Sequence, residues 1–144
     1  MTTADILAVC RSEMKGTSKE NVGAAQLIEH HGVENDAHAG FGHRQVSLIG
    51  IETHQKLIDK GFKVEPGNFG ENITTKGVVL NELPIGTTMK IGEVELEVSQ
   101  IGKSCHLGCD IRNTIGDCPM PREGIFAIVK KGGEVSVGDK IEII

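Results

Sequence analysis

The C-terminal half of this sequence reads as a chain of short strands, and that restricts its fold more than any other feature. Apolar runs recur as TTMKI, VELEV, IFAIV, EVSV and KIEII, and glycine turns separate several of them: Gly92-Glu93, Gly132-Gly133 and Gly138-Asp139. In VELEV, Val94, Leu96 and Val98 alternate with Glu95 and Glu97, the period of a strand with one wet face. The composition agrees. Ile and Val together number 28 against 8 Leu, with no Trp and no Tyr, so the core is aliphatic and rich in β-branched side chains that suit strands. Many short strands and few helices predict a mostly β fold. The expected form is a compact closed or nearly closed β-barrel with one or two short helices, since closure removes exposed edges.

The N-terminal half is more mixed. Residues 4–10 (ADILAVC) predict a strand that buries Cys10 as a small apolar side chain. Residues 17–33 are ambiguous between helix and strand. The clearest helix signal covers 47–60 (SLIGIETHQKLIDK), with Ser47 as cap, Lys60 and Gly61 as stop, and Leu48, Ile51, Leu57 and Ile58 as a buried stripe. Residues 77–80 (GVVL) and 87–91 predict strands. The 144 residues carry no linker-like stretch and fit one domain, 1–144.

A net charge of −5 and the lack of a concentrated basic face argue against nucleic acid as a partner. The N-terminus has neither the basic nor the apolar region of a signal peptide, and no stretch is apolar enough to span a bilayer. The expectation is a cytoplasmic protein that does not enter membranes. Its four cysteines, Cys10, Cys105, Cys109 and Cys118, are then thiols or ligands rather than disulfides.

Chemistry concentrates in residues 100–122, QIGKSCHLGCDIRNTIGDCPMPR. This segment lies between two predicted strands and holds three cysteines. Lys103 and His106 flank Cys105, and nearby positive charge favours the thiolate that attacks sulfur or binds metal. Cys105, Cys109 and Cys118 could instead form a structural metal site, although C-x3-C-x8-C is not a standard spacing. A third alternative makes Cys105 a single working thiol, with Cys109 or Cys118 as resolving partner. In ENDAHAGFGHRQVS, Asp36, His38 and His43 are weak metal candidates, and Asp36 reads better as a tie for backbone N–H groups. Arg44, just before the predicted helix start, could clamp an anion. In PGNFGENITT, Gly67 and Gly70 permit close approach to a ligand, and Glu71, Asn72 and Thr74 offer hydrogen-bonding groups.

Together, DAHAGFGHRQVSLIGIET, PGNFGENITTKG, LPIGTTMKIGEVELEVSQIGKSCH and GDCPMPREGIFAIVKKGGEVSVGD resemble, in this order, the MOSC domain family, named for the molybdenum cofactor sulfurase C-terminal domain. The resemblance runs from about residue 4 to residue 142 and is to the short stand-alone bacterial type. It implies a barrel related to that of pyruvate kinase. It implies that Cys105 carries a persulfide sulfur or coordinates molybdenum; Cys109 and Cys118 are not part of the general family pattern and stay candidate ligands on the residues alone. It implies that Arg44, Gln45, Ser47, Glu71 and Asn72 surround the pterin phosphate of the molybdenum cofactor, with Lys103 and His106 beside the thiol. Some relatives carry an additional barrel, or a pyridoxal-phosphate cysteine desulfurase domain. This length has no room for the latter, so pyridoxal phosphate is not expected and a desulfurase or cofactor-synthesis protein would be a separate partner. Three functions follow: an accessory that carries sulfur or molybdenum during cofactor synthesis, a small molybdoenzyme reducing N-hydroxylated compounds, or a non-catalytic Cys/His metal module.

Overall fold

The computed structural model of the chain describes residues 2–12, 19–36, 39–40, 42, 45–61, 63–67, 71–101 and 124–144. In chain order the elements are β1 (Thr2–Arg11), β2 (Glu20–Asn21), β3 (Ala24–Ile28), β4 (Gly32–Val33), β5 (Val46–Gly50), α1 (Ile51–Asp59), β6 (Ile73–Lys76), a 3-10 turn (Leu80–Glu82), β7 (Thr88–Ile91), β8 (Val94–Ile101), β9 (Ile125–Lys131), β10 (Gly133–Ser136) and β11 (Lys140–Ile143). The fold is the expected closed barrel, with a single short α-helix among the described residues. Around it the order is β1, β11, β7, β8, β9, β5, β6, and β6 returns to β1. The seam between the chain's two ends runs from Thr2 opposite Ile143 to Asp5 opposite Lys140. A smaller sheet, β10-β3-β4, sends Ala25, Leu27, Val33 and Val135 into the same core.

The strand pattern read from the sequence holds in β8, where Val94, Leu96 and Val98 are buried between half-exposed neighbours. Two readings are corrected. The helix does not begin at Ser47. Val46–Gly50 is a strand buried at every position, and α1 starts at Ile51 with Gly50 as N-cap and no side-chain cap bond. A strand covered on both faces has a continuous apolar run, which periodicity cannot tell from a buried helix. Within α1 the buried residues are Thr53, His54 and Leu57, whereas Ile58 is exposed. Residues 77–80 form no strand either. Gly77 has φ +99 and turns the chain out of the sheet, so the apolar Val78-Val79 pair has no strand to join before the turn at Leu80.

All pairings within the barrel are antiparallel except one: β5 and β6 run parallel, with Leu48 opposite Ile73 and Gly50 opposite Thr75. Parallel neighbours cannot be joined by a tight hairpin, so residues 51–72 must cross back outside the sheet, and α1 lies on that crossover. The wall beneath is buried on both faces. Val9, Leu48, Ile125 and Ala127 belong to the main core cluster, while their strand neighbours Cys10, Ile49 and Phe126 are buried outside it.

Asn72 closes the crossover. Ser47 donates from its backbone N and from Oγ to Asn72 Oδ1, at 3.0 and 3.2 Å. Asn72 N donates back to the Ser47 carbonyl at 2.8 Å, and Asn72 Nδ2 donates to the Cys10 carbonyl at 3.0 Å. Cys10 N completes the ring by donating to Asn72 O at 2.6 Å. One residue thus ties β1 and β5 to the start of β6. Asn72→Ala leaves at least two buried backbone groups without partners, each costing ~1–3 kcal/mol. The expected loss of stability is therefore about 2–5 kcal/mol, read as a lower urea midpoint at unchanged slope.

Candidate functional site

Around Asn72 lies the densest group of buried polar side chains among the described residues. Ser47, Glu71, Asn72, Thr74, His54, Lys19 and Asp36 are all buried. Glu71 reaches His54 on α1, with Oε2 2.6 Å from Nε2 and neither side chain exposed. Thr74 Oγ1 donates to the same carboxylate oxygen at 3.1 Å. On the other side of Asn72, Lys19 Nζ meets Asp36 Oδ1 at 2.8 Å in a fully buried ion pair. Ser12 N donates to that oxygen at 3.0 Å, and Lys19 Nζ also donates to Ser12 Oγ at 3.3 Å. Asp36 thus does tie down a backbone N–H, but at the end of β1 rather than in its own turn.

Gly67 explains why the PGNFGEN segment needs a glycine. It has φ +90, and a Cβ there would stand 2.1 Å from the Lys19 carbonyl oxygen and 3.3 Å from Cys10 Sγ. The close approach is to the chain's own backbone, and Lys19 N donates to Gly67 O at 2.7 Å. Gly67 is thereby pressed against Lys19 and Cys10.

Burial pushes the Cys10 thiol up to about 12, with Glu71 adding to the shift and Lys19 opposing it. At neutral pH it is a protonated, inert thiol, as the sequence suggested. Burial also raises the Asp36 carboxyl, but the hydrogen bond and charge of Lys19, the Ser12 amide and a hydrogen bond from Asn72 outweigh it and hold the carboxyl below its usual range.

Of the predicted site residues, Ser47, Glu71 and Asn72 come together here. Gln45 lies apart and braces β9: Val129 N donates to Gln45 Oε1 at 3.0 Å, and Gln45 Nε2 donates to Gly42 O at 3.0 Å. All four are buried and make hydrogen bonds within the protein. The helix start assigned to Ser47 as an anion site moves to Ile51. His38, His43, Arg44, Gly70, Lys103, Cys105, His106, Cys109 and Cys118 lie outside the described residues. The strands that bracket the cysteine segment are described. Ile101 of β8 stands opposite Ile125 of β9, Ile125 opposite Leu48, and Leu48 opposite Ile73. β9 therefore neighbours β5, which carries Ser47, whereas β8 lies two strands from β5 and three from β6. Among the described residues no group of three or more His, Cys, Asp or Glu side chains could hold a metal, and no helix is long and apolar enough to cross a membrane.

Sequence reasoning missed His54 and Lys19. His54 sits three residues after Ile51 and three before Leu57, so the helical period marked it as inward-facing. Lys19 left no signal, because a lysine is almost never buried without a partner that only the fold supplies.

The model of the MOSC domain matches residues 29–142. The chain belongs to the MOSC domain family. Solved structures repeat the fold. The YUAD protein from Bacillus subtilis is 21% identical, with a TM-score of 0.81 over 98% of this chain and 95% of that one. YiiM from Escherichia coli is 21% identical, with a TM-score of 0.69 over 100% and 70% of the two chains. YiiM from Geobacillus stearothermophilus is 16% identical, with a TM-score of 0.74 over 98% and 75%. No curated protein matches. At these identities the likeness is one of fold, and MOSC membership links the chain in general terms to the molybdenum cofactor.

Two outcomes are expected. Because the folded Asp36 carboxyl titrates below its unfolded value of roughly 3.9, its contribution is full above about pH 4 and is lost as pH falls through the lower folded value. Asp36→Asn should be less stable than wild type at pH 6, and the gap should narrow on acidification to pH 3; urea midpoints at the two pH values read this. Iodoacetamide at pH 8 should leave Cys10 unmodified in the native protein and label it after denaturation, as read by peptide mass mapping.

Proposed function

We propose that this MOSC protein is an accessory of molybdenum cofactor synthesis that holds the cofactor, or sulfur destined for it, through Cys105. The observation that supports the reading is the family match across 29–142, a span that includes QIGKSCH, whose first two residues end β8. The donor set suits the ligand. A thiolate is a soft ligand for molybdenum and a nucleophile toward sulfur. Arg44 and Lys103 offer cations for the cofactor phosphate, with Arg44 able to grip it in a fork, and His106 supports the thiolate. Buried and already bonded, Gln45, Ser47, Glu71 and Asn72 act as the rigid floor from which those groups are held.

When bound, the cofactor would supply a metal that accepts a sulfur or oxygen ligand; the chain's own residues bind it and keep it oriented. Sulfur loading needs a separate donor of the cysteine desulfurase class. The Cys105 thiolate would attack the outer sulfur of the donor's persulfide, the donor S–S bond would break, and the donor cysteine would leave as thiolate. Cys105 would then carry one sulfane sulfur.

The test is co-expression with a cofactor pathway, anaerobic purification, and measurement of molybdenum, pterin and cyanide-releasable sulfur for wild type and Cys105→Ala. The expected result is cofactor or sulfane sulfur in wild type and loss of most of it in the variant. Equal content in both proteins would sink the reading. Zinc or iron in place of both would point to a Cys105/Cys109/Cys118 metal site, and turnover of a hydroxylamine by the loaded protein to a reductase.

A further inference from the structure

Gly50 is a glycine that its backbone does not require. At φ −82 and ψ 148 the residue is extended, a conformation open to any side chain, and the position before a helix favours Ser, Thr, Asp or Asn over glycine. What glycine supplies there is room. Gly50 stands opposite Thr75 in the parallel pair, two residues beyond the core pair Leu48 and Ile73, so both face the same side. A Cβ on Gly50 would lie 2.6 Å from Glu52 Oε1 and 3.8 Å from Thr75 Oγ1. The hollow over Gly50 is therefore bordered by two oxygens. Glu52 is held there through its other oxygen, Oε2, which accepts from Gly77 N at 2.9 Å. Thr75 is fully buried, and its hydroxyl has no hydrogen-bond partner among the described residues. A buried polar group left without a partner is costly, so it marks a place where a partner is missing.

Gly50 and Glu52 in turn line a cavity of about 290 Å³ beyond the C-terminal ends of β5 and β6, between α1 and the segment 77–81. The ends of parallel strands and the mouths of barrels are common places for small ligands. Val78, Val79 and Leu80 give the cavity an apolar wall, and Val79 is 57% exposed. An ionised Glu52 can only accept, so the group that fits between it and Thr75 is a donor, and an ammonium also matches its charge. Lys56, one helical turn further along α1, lines the same cavity. A zwitterion therefore suits it better than a bare amine.

We propose that this cavity binds a small aliphatic zwitterion of the α-amino acid type, its ammonium donating to Glu52 Oε1 and Thr75 Oγ1. The site does not depend on Cys105 or on the cofactor reading. Calorimetric titration of the purified chain with L-valine, isobutylamine and isovalerate tests it, the two analogues lacking the carboxylate and the ammonium respectively. L-valine should bind with a Kd at least about tenfold below either analogue, because each lacks one charged hydrogen-bonding group. It should also raise Tm as its concentration rises. No binding of L-valine, or equal affinity for an analogue, overturns the proposal.

Thr75→Val removes the hydroxyl and nearly keeps the shape. Without ligand this variant should melt at or above the wild-type Tm, since a buried group without a partner is gone, and it should bind L-valine about tenfold more weakly. A Thr75→Val protein that binds L-valine like wild type, or that melts below wild type without ligand, overturns the proposal. Gly50→Ala fills the hollow. Its methyl displaces only the far end of the flexible Glu52 side chain, so the chain should fold and lose L-valine binding to a similar extent. Unchanged binding by this variant overturns the proposal as well.

Discussion

One parallel strand pair organises this molecule. Elsewhere the barrel advances by hairpins and antiparallel returns. Between β5 and β6 the chain must leave the sheet, travel outside it and re-enter in the same direction. That excursion carries α1, covers the outer face of β5, and brings Gly67 and Asn72 against Cys10 near the end of β1. Re-entry requires that the last residue before β6 satisfy backbone groups on both neighbouring strands, which have no regular ladder partner there. An asparagine does this because its side chain carries a donor and an acceptor in one plane, mimicking a peptide group. Asn72 uses both, one toward Ser47 and one toward Cys10.

The same excursion explains why the polar cluster is buried. Lys19 and Asp36 close over the end of β1, and His54 and Glu71 close over the start of β6, so two paired sets of ionisable groups flank the clamp. A buried pair is poor evidence for stability, since desolvation offsets most of its attraction. What such pairs supply is direction: each group has few places to go that satisfy it. Among the described residues the barrel thus carries a stiff polar cluster around Asn72.

Much of the fold was legible in the residues. Alternation in VELEV, the glycine turns, and the β-branched aliphatic composition led to a closed barrel because each is a local signal that the final packing reinforces. The failures were also local signals, misled by tertiary context. SLIG reads as the start of a helix because Ser47 can cap it and Leu48 falls on a helical stripe, and only burial on both faces makes it a strand. GVVL reads as a strand, and only the left-handed Gly77 removes it from the sheet. For the site, the sequence could point to Ser47, Glu71 and Asn72 through family motifs, yet not to what they touch. The partners His54 and Cys10 lie far away in the chain, and they meet these residues through the crossover between β5 and β6 and the pairing of β1 with β6.

The chemistry of Cys10 follows from the same architecture. Cys10 ends a strand beneath the Gly67 loop, where burial and the neighbouring Glu71 keep its thiol protonated. A buried position on the barrel wall can do little else with sulfur, since a thiolate without water or cations is costly there. Cys10 instead contributes to the cluster through its backbone carbonyl and amide, which Asn72 engages.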